Sequence, residues 1–397
     1  MNPRALGTFA ALAAALLAVG WQLRELHDDT SFLRPIDYPE YWAAGRATLD
    51  GLNPYDGEVL YALQRPTGND TGAAQMMWNP PWTLPLTMLL GALPWRAGQL
   101  LWFALNLLAV GASAALLWRV YAGTWRRVGV AIAVAVAFAP TAFLLMIGQI
   151  GGFMLLGLAG FLFAVRFERF ALAGCFGAVT AIKPHLLAPF ALVLLLEALR
   201  GRPAWKSVLA GGAVLLVCGL LPLAWNPAVW SQYREATGAG QAQSHHTLHD
   251  WEHPTLGYAI RTALPGRPFA AMFVPLAVAV PLVCAYWWRR RSAWDWPTEL
   301  PRLVLVSVAA APYGAWVFDL VLLLVPVVQA SAWLAADGRR NVVLGAAALY
   351  AAVNLLAFAA TSEAGWTANR WLVPVTVAGY LLVGRCCRAD PAAGIGA

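Results

Sequence analysis

The chain has 397 residues, of which 60% are hydrophobic and only 12% are charged. Soluble domains carry about twice that share of charged residues. Several apolar stretches reach the roughly 20 residues that a helix needs to cross a ~30 Å hydrocarbon core, which predicts a polytopic membrane protein built from helices. The net charge of +7 comes from basic clusters between apolar segments, a pattern typical of cytoplasmic loops, so nucleic acid is not an expected partner.

Apolar segments follow one another along most of the chain. They lie at 5–24, 80–93, 98–118, 128–147, 150–165, 170–182, 184–198, 206–224, 268–288, 299–313, 316–334, 341–359 and 370–384. The first segment has an Ala-rich core like that of a signal peptide. Its length, and the membrane-embedded remainder of the chain, favour a retained first span instead.

Basic residues set the predicted topology. They cluster at Arg119/Arg126/Arg127, Arg166/Arg169, Arg200/Arg202/Lys206, Arg289/Arg290/Arg291, Arg339/Arg340 and Arg385/Arg388. Placing every cluster in the cytoplasm gives one consistent alternation from residue 98 onward. Two long polar loops, 27–79 and 225–267, then share the non-cytoplasmic face.

Only one net crossing can separate the acid-rich loop 27–79 from the basic cluster that follows residue 118. The 14-residue segment 80–93 is too short to cross upright, so we expect it to be re-entrant or interfacial. If it does cross, one of the later short segments must fail to. The resulting prediction is an all-α polytopic membrane protein with about 12 transmembrane helices (11–13). It forms a single integral membrane domain over residues 1–397, with both termini cytoplasmic.

The first outer loop carries candidate catalytic carboxylates. Asp37 stands just before residues 40–49, whose pattern predicts an amphipathic helix with Tyr41 on one side. An aspartate at that position can cap the helix, or it can act as a general base, and the pattern fits both roles. Asp28 and Asp29 are competing carboxylates that lie nearer the first span and could simply be solvated.

Several short motifs follow one another along most of the chain. They include Asp37-Tyr38-x-x-Tyr41, Asn79-Pro80-Pro81, Gly148-Gln149-Ile150, Ala181-Ile182-Lys183-Pro184 and Phe318-Asp319-Leu320. Each motif alone is weak. Their order, spacing and predicted side of the membrane together resemble glycosyltransferase family 87, whose members are polyprenol-phosphate-mannose-dependent α-1,2-mannosyltransferases of the GT-C fold.

The resemblance implies an inverting transfer of mannose, or a related sugar, from a polyprenyl-phosphate donor to a lipid or glycan acceptor. It places the active site on the non-cytoplasmic face of the inner (plasma) membrane, facing the periplasm or exterior, and it implies neither a cofactor nor a metal ion. Asp37 matches the first-loop aspartate that is thought to act as general base in the family. A carboxylate within ~3 Å of an acceptor hydroxyl can remove its proton as the new bond forms.

The departing polyprenyl phosphate needs cationic or amide contacts. Lys183 is the first candidate because it interrupts an apolar stretch, although a lysine that snorkels to the interface is the alternative. Arg261 is the second candidate, against an ordinary interfacial arginine. Many family members carry a polar Gln-Ser pair before the matching arginine. The residues before Arg261 depart from that pattern, so the resemblance does not define the identity of the acceptor.

The second outer loop contains four of the six histidines in the chain. We expect His253 to contact the donor phosphate and His246 to contact the substrate. A zinc site is an alternative, because His245, His249 and His253 are spaced four residues apart. The HExxH pattern is missing, however, and Pro254 follows the last histidine, so this alternative is weak.

Three further residues are candidates for substrate contact: Tyr41, Gln149 and Asp319. Gln149 could bind a sugar hydroxyl or merely satisfy a loop carbonyl. Asp319 begins an apolar helix, where a carboxylate needs a partner, and a structural pair with Lys183 is the alternative to a substrate contact. The rival function is a membrane transporter or lipid flippase. That class predicts repeat symmetry and charges near the midplane, whereas polar residues here concentrate in two loops.

Overall fold

The computed structural model describes residues 36–201, 203–238 and 254–388. The apolar segment 5–24 lies outside these residues, as do Asp28, Asp29 and the histidines at positions 245, 246, 249 and 253. The described residues form α-helices and short 3₁₀ turns and contain no β-strand.

The helices are numbered here in chain order. In the first half they are α1 Tyr38–Leu49, α2 Gly57–Gln64, α3 Leu84–Gly91, α4 Trp95–Ala122, α5 Val128–Val136, α6 Ala139–Ile147, α7 Gly151–Arg166, α8 Phe170–Val179 and α9 Ala188–Leu199. In the second half they are α10 Ala204–Leu220, α11 Val229–Thr237, α12 Leu256–Ala263, α13 Val274–Arg290, α14 Trp296–Ala309, α15 Leu324–Asp337, α16 Arg340–Ala364 and α17 Leu372–Arg388. Short 3₁₀ turns adjoin several of them, among them Pro81–Thr83, Thr180–Ile182, Pro184–Leu187, Leu221–Ala224, Phe269–Phe273 and Asp319–Leu323.

Several helices are long and apolar enough to cross a membrane. Taken with their adjoining turns, five such helices occur among the described residues: Trp95–Ala122, Ala204–Ala224, Phe269–Ala293, Asp319–Asp337 and Arg340–Glu363. The bent pair α5 and α6 makes a sixth if it counts as one span, and shorter apolar helices are present as well. The chain is therefore an all-α integral membrane protein. The structure supports five or six spans by length, and the expected total of about 12 stays a prediction.

Helix α7 lies at the centre of the described fold. Leu155, Leu158 and Phe161 along it are fully buried, and it packs against α4, α8 and the turn Asp319–Leu323. A helix that faces lipid buries one side only, whereas α7 buries residues all round. It therefore forms the axis around which the other helices are arranged.

The apolar segment 128–147 forms two helices, α5 and α6, that meet at an angle of 61°. Pro140 lies in the first turn of α6, where it lacks an N–H and where its ring would clash with the preceding helical turn. The Ala139 N–H at the bend donates instead to the Asn354 side-chain oxygen of α16, at 2.6 Å. Thus a neighbouring helix supplies the hydrogen bond that the bend removes.

The helix predicted for residues 40–49 is confirmed as α1, which begins two residues earlier at Tyr38. Tyr41 is buried, and so is Gly45, one turn further along the same side of the helix. An added Cβ at Gly45 would overlap the Thr87 backbone of α3. Helix α1 is therefore held within the protein by α3, and this close contact requires a glycine.

Helix α3 is the α-helical part of the apolar segment 80–93. It has eight residues, which corresponds to about 12 Å at 1.5 Å per residue. That length is well below the ~30 Å of a hydrocarbon core. The expectation that 80–93 does not cross the membrane is compatible with this length and stays a prediction.

We expect Gly45→Ala to destabilise the protein by about 1–3 kcal/mol, because the new methyl group would push α1 away from α3. Gly111→Ala is the matched control, since nothing lies within 4 Å of a Cβ added at this helical glycine. Alanine stabilises a helix interior relative to glycine by up to about 1 kcal/mol. Thermal unfolding in detergent measures both variants, and equal midpoints would contradict the close contact.

Candidate active site

A cavity of about 590 Å³ lies at the N-terminal end of α1. Its wall is formed where helices break: the junction of α6 with α7, the interval between α8 and α9, and the loop before α15. The loop that precedes α3 and one side of α11 complete the wall. Backbone breaks allow a few polar side chains to converge among apolar and aromatic ones, and a concave site of this kind is the usual place for ligand binding.

Asp37 lies in the wall of this cavity. Its N–H donates to the Ile147 carbonyl at 3.0 Å, which fixes the start of α1 to the end of α6. The Asp37 carboxylate occupies the N-cap position of α1 but makes no capping hydrogen bond to the amides of this helix, all of which are described. It accepts instead from Gln149 Nε2, at 2.6 Å from Oδ2. The capping interpretation is therefore wrong, because the side chain turns towards the cavity.

The protonation of Asp37 is tuned by its surroundings. Burial raises the pKa of this carboxyl group to about 6, while the Gln149 hydrogen bond and the Lys183 charge oppose the rise and Asp319 adds to it. Burial, followed by the Asp37 charge, also raises the pKa of the neighbouring Glu40 well above its usual value. Near neutral pH, Asp37 is thus ionised but basic enough to accept a proton.

Gln149 follows Gly148 at the junction of α6 and α7. Gly148 has a left-handed backbone with φ 77°, and its carbonyl accepts from Trp102 Nε1 at 2.6 Å. This turn directs the Gln149 side chain into the wall of the cavity. Tyr41 is fully buried behind it, and its hydroxyl donates to Gln149 Oε1 at 2.9 Å.

Lys183 lies in the break between the turns Thr180–Ile182 and Pro184–Leu187. Its ammonium group donates to Asp319 Oδ1 at 2.8 Å and to Gln149 Oε1 at 3.1 Å. The Asp319 side chain is only 2% exposed, and its other oxygen accepts from the Trp316 N–H. The structure thus pairs Lys183 with Asp319. This is the structural pair that the sequence analysis gave as the alternative to a substrate contact of Asp319. Lys183 lines the cavity and Asp319 lies behind it.

Asn79 is a part of the site that sequence reasoning did not assign. Its side chain donates to the Ile182 carbonyl at 3.1 Å, while its own carbonyl accepts from the Tyr55 hydroxyl. Trp82 Nε1 donates to the adjacent Ala181 carbonyl at 2.9 Å. These bonds satisfy the backbone at the break that carries Lys183. The sequence signal for this residue is the Asn79-Pro80-Pro81 motif, which by itself predicts no structural role.

Glu40 and His185 also line the cavity and were not among the expected site residues. The His185 ring stacks on Tyr313, with a distance of 4.3 Å between ring centroids. Both residues stand close to predicted ones, Glu40 three positions after Asp37 and His185 two after Lys183. That proximity was the only sequence signal for them.

Arg261 does not line the cavity. Its guanidinium lies 5.8 Å from the centroid of Phe269, and Phe269 contacts the cavity residue Tyr313. Arg261 also donates to the Arg267 carbonyl. The aromatic side chains of Phe269 and Tyr313 therefore lie between Arg261 and the cavity. His246 and His253 lie outside the described residues, within which no three metal-binding side chains are grouped.

The fold and site together define an all-α integral membrane protein with a carboxylate, a lysine and a glutamine in one cavity. A sequence model of glycosyltransferase family 87 matches residues 78–318, which is more than half of the chain. The chain therefore belongs to glycosyltransferase family 87, and it is a glycosyltransferase with sugar donor and acceptor substrates. Searches of curated proteins and of solved structures found no match.

The matched region contains some site residues and not others. Gln149 and Lys183 lie within it, Asp319 follows its last residue, and Asp37 precedes its first. Membership in the family gives no support to the transporter or flippase alternative.

Proposed function

We propose that this glycosyltransferase transfers a mannosyl or related residue, with inversion, from a polyprenyl-phosphate sugar to a lipid or glycan acceptor. The reaction takes place on the non-cytoplasmic face of the membrane. The observation that carries the proposal is the Asp37 carboxylate, which faces the cavity instead of capping α1.

Asp37 acts as the general base. One carboxylate oxygen takes the proton of the acceptor hydroxyl while the hydroxyl oxygen forms a bond to the anomeric carbon. The bond from that carbon to the phosphate oxygen breaks on the opposite side of the sugar ring, and polyprenyl phosphate leaves. This single displacement inverts the anomeric centre and needs no second carboxylate as nucleophile. The second carboxylate near the cavity, Asp319, is not needed as a nucleophile, and its two oxygens already accept hydrogen bonds from Lys183 and the Trp316 N–H.

The cavity suits a sugar in size and in lining. Its volume of about 590 Å³ lies within the range of about 300–1,000 Å³ that is common for ligand pockets. Aromatic side chains line it, among them Trp78, Tyr233 and Trp316. The apolar faces of sugar rings stack on such side chains, while Gln149 offers a polar contact.

Lys183 lines the cavity and contacts the donor phosphate there. An ammonium group has three donors, and Gln149 and Asp319 receive two of them. The third can reach a phosphate oxygen. Arg261 assists from behind Phe269 and Tyr313, and His253 and His246 provide further donor and acceptor contacts. Tyr41 and Asp319 support the substrate site from behind Gln149 and Lys183.

We expect Asp37→Asn to lower turnover by about 10²–10⁴-fold while the protein stays folded, because the amide cannot accept the acceptor proton. Asp50→Asn is the matched control, since Asp50 ends the same helix, is exposed, and pairs only with Arg46 in the described structure. Turnover with a labelled polyprenyl-phosphate sugar and a lipid-extract acceptor pool measures both. In the unmodified protein, kcat/KM should rise with pH and reach half its plateau near pH 6, where Asp37 loses its proton.

Near-normal turnover by Asp37→Asn would remove Asp37 from the mechanism. Asp28→Asn and Asp29→Asn, tested in parallel, would show whether one of these first-loop carboxylates is the base instead.

Lys183→Gln and Arg261→Gln are expected to raise the donor KM, to lower kcat, or both, with little change in acceptor KM. The reason is that both residues are assigned to the leaving phosphate and not to the acceptor hydroxyl. Steady-state kinetics with each substrate varied in turn separate the two effects. A variant altered only in its acceptor dependence would reassign that residue to the other substrate.

The proposed orientation predicts opposite labelling of two exposed loop positions. A cysteine at Asp70 should react with an impermeant thiol reagent from outside the cell, whereas one at Arg126 should not. Both variants are made in a background with serine at Cys386 and Cys387. Labelling of Arg126→Cys alone would place the cavity on the cytoplasmic side.

A further inference from the structure

The Gln149 amide lies at the centre of the polar residues around the cavity and is only 6% exposed. Its oxygen accepts from Lys183 Nζ at 3.1 Å, from the Tyr41 hydroxyl at 2.9 Å and from the Ile150 N–H at 3.3 Å. Its nitrogen donates to Asp37 Oδ2 at 2.6 Å. One side chain therefore connects the lysine to the carboxylate.

The direction of this amide follows from the chemistry of its neighbours. A lysine ammonium and a backbone N–H can only donate, so both require an acceptor. If the amide were flipped, its NH₂ group would face Lys183 and the Ile150 N–H, and its oxygen would face the Asp37 carboxylate. Three unfavourable contacts would replace three hydrogen bonds. The Gln149 NH₂ group must therefore point at Asp37.

Lys183 is itself held in place. Asp319 accepts from it at 2.8 Å, and the Trp316 N–H donates to the second Asp319 oxygen at 3.2 Å. The Lys183 charge then polarises the Gln149 carbonyl, which strengthens the hydrogen bond that its NH₂ group gives to Asp37. A hydrogen bond to a carboxylate favours the ionised form and restricts its rotation.

We propose that Gln149 is a positioning residue that orients the Asp37 carboxylate and keeps it ionised, and that Lys183, held by Asp319, fixes the direction of the Gln149 amide. The proposal rests on the proposed role of Asp37 as the base. It assigns Gln149 to the base and not to a sugar hydroxyl. With Oδ2 bound to Gln149, the second carboxylate oxygen takes the acceptor proton.

Other charged and titratable groups also act on Asp37. From α1 these are Glu40 and Tyr41, and from the remaining elements they are Lys183 and Asp319. His185 and the tyrosines Tyr233 and Tyr313 line the same cavity. All of these groups are unchanged when only Gln149 is substituted, so a shift in the pH profile reports the lost amide contact.

The test is the pH dependence of kcat/KM in Gln149→Met, which has a similar size but no hydrogen bond to give. Loss of one hydrogen bond to a carboxylate should raise its pKa by about one to two units. The acidic limb of the profile should move to higher pH by that amount. At pH 6, kcat/KM should fall by about 5- to 50-fold, and most of the loss should be regained at alkaline pH.

Gln149→Glu is the second variant, because it keeps the side-chain shape and the oxygen that accepts from Lys183. Its carboxylate cannot donate to Asp37 and repels it, so the acidic limb should move in the same direction. Gln329→Met is the matched control for loss of a buried glutamine amide. Gln329 is 4% exposed, and it bonds to Pro297 and Tyr380, which do not line the cavity.

Gln329→Met should keep the unmodified pH profile. If Gln149→Met or Gln149→Glu lowers activity without moving the acidic limb, or raises only a substrate KM, the inference is overturned. In both cases Asp37→Asn remains inactive and the proposed function stands. Near-normal turnover by Asp37→Asn would instead defeat the proposed function itself, whatever the Gln149 variants do.

Discussion

Lys183 and Asp319 join two breaks in the helical chain that lie 136 residues apart. Neither charge could be buried alone without a cost of several kcal/mol, so each requires the other in place. Their pairing brings the loop before α15 against the interval between α8 and α9. It also leaves Lys183 directed at Gln149, and through Gln149 at Asp37. The geometry of the cavity therefore depends on this one ion pair.

Asp37, Gln149 and Lys183 all come from breaks between helices, and this has a physical reason. Within regular helices of a membrane protein the side chains face lipid or close-packed neighbours, and little room remains for a ligand. At Gly148 the left-handed backbone ends α6 and turns Gln149 inward. At Lys183 two 3₁₀ turns replace a helical turn, and Asn79 satisfies the Ile182 carbonyl there. The breaks remove helical hydrogen bonds, and side chains from distant segments replace them.

Within the described residues, the sequence predicted most of the apolar helices to within a few residues, because long apolar runs have a clear signal. It also proposed Asp37, Gln149, Lys183 and Asp319 as candidate site residues, since polar residues beside apolar runs are conspicuous, and the structure places these four in a chain of hydrogen bonds. Their mutual contacts could not be predicted, because these depend on how breaks far apart in the chain meet. The burial of α1 and the bend at Pro140 likewise depend on neighbouring helices.

The charges around the cavity explain why one weakly basic carboxylate suits the proposed reaction. Lys183 and Asp319 compensate each other, and the raised pKa of Glu40 favours its neutral form. Asp37 is then the principal negative charge that faces the substrate. When it takes the acceptor proton it becomes neutral, in the same step in which the departing phosphate gains a negative charge. Repulsion between base and leaving group is thus relieved as the bond breaks. A fixed cation that held Asp37 permanently ionised would oppose this exchange, whereas the neutral amide of Gln149 orients the carboxylate and still lets it accept a proton.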